Sequence, residues 1–441
     1  MGAAPSVAAK AIHSASADEL SSALAELTPE QRSKIKAAII KSHPPPSTTL
    51  PTFPCLYPMK VIRWTSFKEL GALPRSDDAE TRGLLEDFEG FDSTKDGRLS
   101  CVFVSHSWWE RETPKTAKPD YTSGDKANLK FRVICAGVQQ MIEREALEPT
   151  HLALWVDYYS IDQIDEGKKQ AGVSSMVHYT SQASFMLIPV PTENVVTDDF
   201  GPDSDPAECV AYYPEDVGGY GSRGWCRVEF FIFSLFHEMK AAYDASVQGG
   251  DGSLKLYAAG SSPHSLQQFK VVEFLGGDRG DMPSQGAFTF ESDRKSIVQL
   301  ENLVISAFGH AVLRRAAKSV ADGDLCVDLG AKMLRDEHLA TLRQLIEAGA
   351  FKTATTLSFN SISSMTTLPD LTGMDALRTL SMVNCTGLTH LPDLSGLPAL
   401  NTVKLENCLR LKAPLPKLRD GIEYDDMFLP KHLRSGDADE E

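Results

Sequence analysis

The chain has 441 residues, 42% of them hydrophobic, which is enough to bury a sizeable core and, by length, to form two or three domains. Sixty acidic residues against 44 basic ones give a formal charge of -16; with no basic patch to offset it, a nucleic-acid partner is not expected. The longest apolar run, residues 230–236, is far shorter than the ~20 residues that cross a bilayer, so a membrane link is expected only as a peripheral one.

Residues 1–42 open with Met1-Gly2-Ala3-Ala4-Pro5-Ser6, an acceptor pattern for N-myristoylation in which Gly2 is acylated after loss of Met1. One myristoyl chain binds membranes marginally, and Lys10 is the sole basic residue among the first thirty, so this attachment would be weak. No uninterrupted apolar signal core follows, and the eight cysteines lack CxxC pairs, which points to a reduced, cytoplasmic setting. Leu20, Leu24, Leu27, Ile35 and Ile39 predict helix over 17–41, with Pro29 opening its second half. The run Pro44-Pro45-Pro46 cannot continue it, and 43–98 reads as linker and lead-in.

From 99 to 240 strands and helices alternate. Residues 100–105 read as a strand that ends in Ser105-His106-Ser107, and a helix is predicted over 126–145, where Leu129, Val133, Ile134, Gly137, Val138 and Met141 recur at helical spacing. The run 151–157 is apolar almost throughout, as for a parallel strand covered on both faces, and ends at Asp157. A polar loop over 162–172, a short helix over 174–182 and a strand over 185–190 continue the pattern of a doubly wound fold. Next, Val228, Phe231, Ile232, Leu235, Phe236 and Met239 fall on one helix face, with Ser222 as the expected N-cap. Glu229 lies about 100° round from Val228, on the flank of that face, with Trp225 one turn earlier.

Ligands of parallel sheets gather beyond the carboxyl ends of the strands, where Ser105, His106 and Asp157 are expected. Ser105 and His106 cannot pair as nucleophile and base, because neighbours on a strand point to opposite faces and no GxSxG elbow surrounds the serine. They line a crevice or cap the strand. Asp157 binds a ligand hydroxyl or fixes the loop after it, and Trp225 is core or a stacking surface. Glu229 is an ordinary first-turn carboxylate favoured by the helix dipole, or a reactive one. The histidines lack zinc spacing, so no metal is assigned.

The ancillary region 241–330 carries Gly-rich loops and a helix predicted over 296–308, with no role assigned. In 331–425 a repeat of period 23 appears: Leu368-Pro-Asp-Leu371-Thr-Gly373 recurs as Leu391-Pro-Asp-Leu394-Ser-Gly396, and Leu377-x-x-Leu380-x-Met382-x-x-Cys385 recurs as Leu400-x-x-Val403-x-Leu405-x-x-Cys408. An earlier degenerate copy uses Ala354, Leu357, Phe359 and Ile362, a helix over 332–347 would cap one end, and 426–441 is an acidic tail.

The repeat resembles the LxxLxLxx(N/C) frame of leucine-rich repeats, which implies a short α/β solenoid that turns Cys385 and Cys408 inward and offers a surface to a protein partner. The strand ending in Ser105-His106-Ser107, with Ser222-x-x-Trp225-Cys226-x-x-Glu229, resembles the first strand and the SxxWCxxE motif of TIR domains. Trp155-Val-Asp157-Tyr-Tyr-Ser-Ile161-Asp162-Gln163 is similar to the WIDxxCIDQ signature of heterokaryon-incompatibility (HET) domains, and Arg223-Gly224-Trp225 followed by Glu229 stands between the TIR motif and the RGWxxQE run of HET domains. The resemblance covers residues 99–240 and implies a flavodoxin-like doubly wound parallel sheet that self-associates. It also implies, in enzymatic members, a catalytic Glu229 that cleaves the nicotinamide–ribose bond of NAD, the substrate rather than a cofactor. Ser105, His106, Asp157 and Trp225 would then line the substrate site. The alternative is a non-catalytic adaptor that self-associates and docks partners through its repeats. Two departures bear on the pocket: Tyr158-Tyr159-Ser160 stands where HET domains carry their cysteine run, and a long insertion over 191–220 precedes the glutamate motif.

Overall fold

The computed structural model describes residues 52–88, 99–110, 118–193, 195, 220–244, 255–269, 282–416, 418, 424 and 433. Gly2, the helical reading of 17–41, most of the 191–220 insertion and all of the acidic tail but residue 433 lie outside the described residues.

Among the described residues the first sheet has seven strands, β1 (Lys60–Arg63), β2 (Glu86–Asp87), β3 (Ser100–Val104), β4 (Leu152–Val156), β5 (Phe185–Pro189), β6 (Lys255–Ala259) and β7 (Gln267–Phe269). Their order is β2-β1-β4-β3-β5-β6-β7. The central four run parallel, and β1, β2 and β7 pair antiparallel at the two edges. The chain is therefore mixed α/β. The apolar runs became strands because both faces are covered, as their alternation shows. Cys101, Phe103 and Trp155 join one core with Phe231 and Val304. Val102, Val104 and Leu154 join another with Val138 and Met141 on the opposite face. In register across β3 and β4, Phe103 stacks on Trp155 with ring centroids 4.2 Å apart.

The helices that matter to the site are α1 (Leu129–Glu145), α2 (Glu166–Ser174), α3 (Met176–Gln182), α4 (Gly224–Asp244), α5 (Asp293–Ala321) and α6 (Leu339–Glu347). The predicted apolar face of α4, from Val228 to Met239, is buried throughout. Helix α1 starts at Leu129 rather than 126, because the buried Asp120 carboxylate accepts the backbone N–H groups of Lys130 and Phe131, each at 2.8 Å.

One local reading is corrected. The polar stretch 162–172 is not all loop: α2 forms in it, opened by Asp165, whose Oδ1 accepts the Lys168 N–H at 3.0 Å. Ser222 lies in a 3-10 turn, Tyr220–Ser222, just before α4, and its carbonyl accepts the Ala287 N–H at 2.9 Å. The Gly224 N–H in turn donates to the Ala287 carbonyl at 3.0 Å, so a strap from the ancillary region is stitched to the start of α4.

Helix α5 runs well beyond the predicted 296–308. It is the one described helix long and apolar enough to cross a membrane, and half of that stretch is buried within the protein. Its Ile297, Val304 and Phe308 enter the core beside α4, and its Leu313 and Val320 enter a C-terminal core. In that second core β8 (Cys326–Asp328), β9 (Thr356–Ser358), β10 (Thr379–Ser381) and β11 (Thr402–Lys404) form a parallel sheet. The period of 23 is its register: Leu357 pairs with Leu380, and Leu380 with Val403. Cys385 and Cys408 are buried, and their thiols donate to the carbonyls of Phe359 and Met382 at 3.1 and 2.8 Å.

Candidate functional site

The carboxyl end of β3 sends its first two polar side chains apart, as a strand must. Ser105 turns toward α4, where its Oγ donates to Glu229 Oε2 and also bonds the Tyr220 hydroxyl. His106 turns toward α1. Its Nε2 lies 2.8 Å from Asp157 Oδ1, and its Nδ1 lies 3.0 Å from Lys130 Nζ. Lys130, fully buried, also donates to the carbonyls of Ser107, at 2.6 Å, and of Pro119, and its ammonium stands 4.7 Å from the centre of the Trp109 ring.

His106, Asp157, Trp225 and Glu229 share the walls of one cavity of about 480 Å³, within the range of small-molecule sites. Ser105 lies behind the wall, wholly buried, and holds Glu229. The half-buried Trp225 donates its Nε1–H to Asp293 Oδ2 at 3.0 Å, which fixes the ring along one side. The cavity opens beyond the carboxyl ends of β3 and β4, beside the point where successive parallel strands switch from one side of β3 to the other.

Two of the carboxyls that line this cavity, Glu229 and Asp157, are driven in opposite directions. Burial, with the nearby charge of Asp157, pushes the Glu229 carboxyl well above its ordinary range, and the Ser105 hydroxyl only partly opposes this. Burial also pushes Asp157 upward, but His106 and the Lys130 charge outweigh it and hold the carboxyl below its ordinary range. Of this pair the site favours an ionised Asp157 and a protonated Glu229, a division that suits acid–base or charge-stabilising chemistry. Burial raises Tyr220 and Cys226 as well, which keeps both neutral.

Several residues of the site escaped the sequence. Lys130 stands four residues before Ile134, on the same helical row as Gly137 and Met141, so a lysine on an apolar face was its signal. Tyr220 ends the insertion and carries no motif. Asp293 and Phe290 come from the ancillary region and wall the cavity from α5 and the strap.

Comparison of the chain with protein-family models, with curated proteins and with solved structures finds no match.

Proposed function

We propose that the chain is an intracellular signalling protein of the TIR/HET type that hydrolyses the nicotinamide–ribose bond of NAD in the Glu229 cavity and docks a protein partner through its C-terminal repeats. The observation that carries this reading is Glu229 itself. It lies on a cavity wall, is 6% exposed, and among the described residues has a hydroxyl partner but no cation in contact. A buried carboxyl of this kind gains its counter-charge from a cationic ligand, and the pyridinium ring of NAD is such a cation. Trp225 offers that ring an aromatic face at the same wall. The parallel strands, numbered along the chain, lie in the order 2-1-3-4, the order of flavodoxin-like sheets, which supports the resemblance carried by the motifs. The 23-residue register of β9, β10 and β11 supports a leucine-rich repeat solenoid.

The reaction would proceed as follows. Binding of the cationic ring drives the Glu229 proton to solvent. As the ribose C1′–N bond breaks, its electron pair stays with the ring, and nicotinamide leaves neutral. The positive charge then moves to the ribose as an oxocarbenium ion, which the Glu229 carboxylate stabilises. Water adds at C1′ and gives its proton to Glu229, which restores the protonated carboxyl. The products are ADP-ribose, nicotinamide and a proton.

The same Ser105–Glu229 bond favours a second reading, a buried clamp in a self-associating adaptor without activity. Nicotinamide release from NAD by wild type, Glu229→Gln and Glu229→Ala separates the two. A hydrolase loses about a hundredfold or more in rate in both variants. No release by the wild type, even when concentrated enough to assemble, sinks the hydrolase and leaves the adaptor, whose mark is concentration-dependent assembly that survives Glu229→Ala.

A further inference from the structure

Lysine is almost never fully buried without partners, because its charge is costly to remove from water. Lys130 is 0% exposed, and it lies beneath the cavity rather than in it. We propose that Lys130, acting through His106, aims Asp157 into the cavity as the acceptor for a hydroxyl of a ribosyl ligand, which makes Lys130 a positioning residue of this site. The identity of the ligand rests on the function proposed above; the positioning does not.

Donor and acceptor capacity fixes the direction of this row. An ammonium has three hydrogens and no lone pair, so each of its close polar neighbours must accept. For Lys130 those neighbours include the carbonyls of Ser107 and Pro119 and His106 Nδ1, which stands closer to the ammonium, at 3.0 Å, than to the Ser107 carbonyl, at 3.4 Å. Nδ1 therefore keeps its lone pair, and the imidazole proton resides on Nε2, which donates to Asp157 Oδ1 at 2.8 Å. The histidine side chain is 1% exposed and cannot turn out of this row, whereas the Asp157 side chain is 31% exposed on the cavity wall. A purely structural row would close on itself. This one starts at a buried cation, passes through a neutral ring of fixed tautomer and ends at a carboxylate open to a cavity. His106 engages one of its two oxygens and the Tyr158 backbone N–H also donates to the carboxylate, whose remaining lone pairs can accept a ligand hydroxyl. The sugar of a ribosyl ligand offers such hydroxyls next to the bond that Glu229 would address.

The test uses the full chain. Nitrogen-15 spectra of the histidine rings, with His106→Asn to assign the signals, should show His106 at neutral pH with a bare Nδ1 and a protonated Nε2. In Lys130→Met the ring loses the donor facing Nδ1 but keeps Asp157 at Nε2, so the Nδ1 signal of His106 should move from its wild-type position while the Nε2 signal stays. A wild-type ring with the opposite tautomer, or doubly protonated at neutral pH, overturns the proposal, as does a Lys130→Met spectrum identical to the wild type. If Lys130→Met fails to fold, the wild-type spectrum still decides.

For the ligand, calorimetry with ADP-ribose should show binding weakened about tenfold or more in Asp157→Asn, with binding of ADP, which lacks the terminal ribose, unchanged. Equal ADP-ribose affinity in the two proteins, or no binding in either, overturns the hydroxyl assignment. The ring spectra need no ligand. Absent nicotinamide release together with the expected spectra would sink the hydrolase and leave the positioning row standing.

Discussion

The ring of Phe288 lies directly against Gly224: a Cβ at that position would come 2.1 Å from Phe288 Cζ. The glycine of the Arg223-Gly224-Trp225 run therefore has a steric reason, since it lets the strap from the ancillary region close over the first turn of α4. Gly286 serves the same contact from the other side, because a Cβ there would meet the Gly224 nitrogen at 2.6 Å. The strap continues into Phe290 and Asp293, which wall the cavity, so helix start, strap and site are closed by one contact.

Gly224→Ala should accordingly destabilise the protein by about 1–3 kcal/mol, the usual range for overpacking. In a Phe288→Ala background the same substitution should cost much less, because the clashing ring is gone. Urea unfolding of the two single variants and the double variant measures the coupling. Additive effects would show that the ring yields freely and that the contact does not hold the strap.

Asp120→Ala should loosen the start of α1. Its carboxylate accepts three backbone N–H groups, those of Tyr121, Lys130 and Phe131, at 2.7 to 2.8 Å, and it is 6% exposed. Loss of a helix-capping acceptor costs about 0.5–2 kcal/mol, and the upper part of that range is expected here because three buried donors lose their partner. Asp120→Asn keeps one acceptor oxygen and should lose less. Because Lys130 is among the donors, the His106 ring signals should shift in Asp120→Ala even at pH values where the protein stays folded. Hydrogen exchange at Lys130 and Phe131 reports the local loss directly.

How far the sequence led can be judged from particular elements. Strands β3, β4 and β5 were legible because burial on both faces leaves unbroken apolar runs, and α4 was legible because one apolar face recurs without interruption. Helix α2 was not, since Gly167 and Gly172 and a polar composition leave no apolar period, and only Asp165 marks its start. The wall built from 282–296 could not be read at all: its role depends on a close approach between Gly224 and Phe288, 64 positions apart, and no local pattern encodes that. Within the site, the motifs led to Glu229, Asp157, His106 and Trp225 on one cavity, and to Ser105 behind it. They missed Lys130, because a single charge in an apolar row reads as an interruption rather than as a buried partner of His106.

The repeats offer a substitution by analogy within the chain itself. Ser361, Asn384 and Asn407 occupy equivalent positions, 23 apart, and all three have φ near +60°. Asparagine tolerates that left-handed region better than serine does. The two asparagines also stack, with Asn407 Nδ2 donating to Asn384 Oδ1 at 2.8 Å. Ser361→Asn should therefore stabilise the C-terminal sheet by about 0.5–1 kcal/mol, a gain typical of consensus substitutions, and Asn384→Val should destabilise it by more. Thermal unfolding of both variants checks the sign. A destabilised Ser361→Asn would mean that the first copy has no room for the longer side chain.

The opposed carboxyls of the cavity give stability an opposed dependence on pH. Burial raises Glu229 in the folded state. Below the unfolded value of about 4.3, both states hold the proton and the group is neutral in its effect. Above it the unfolded chain releases its proton while the folded protein retains it, so stability falls with rising pH, by at most about 1.4 kcal/mol per pH unit for one proton, until the folded value is passed. Glu229→Gln cannot ionise and can still accept from Ser105, so its stability relative to wild type should grow between pH 5 and pH 8. Asp157, held low against its burial by His106 and Lys130, behaves in the opposite sense. Its contribution is present above the unfolded value of about 3.9 and is lost as pH falls through the folded one. Asp157→Asn should therefore be less stable than wild type at neutral pH, and the difference should shrink in acid. Denaturant unfolding across pH 3 to 8 decides both. Parallel curves for wild type and Glu229→Gln would mean that Glu229 ionises freely in the folded protein, and with that the need of this carboxyl for a cationic ligand would disappear.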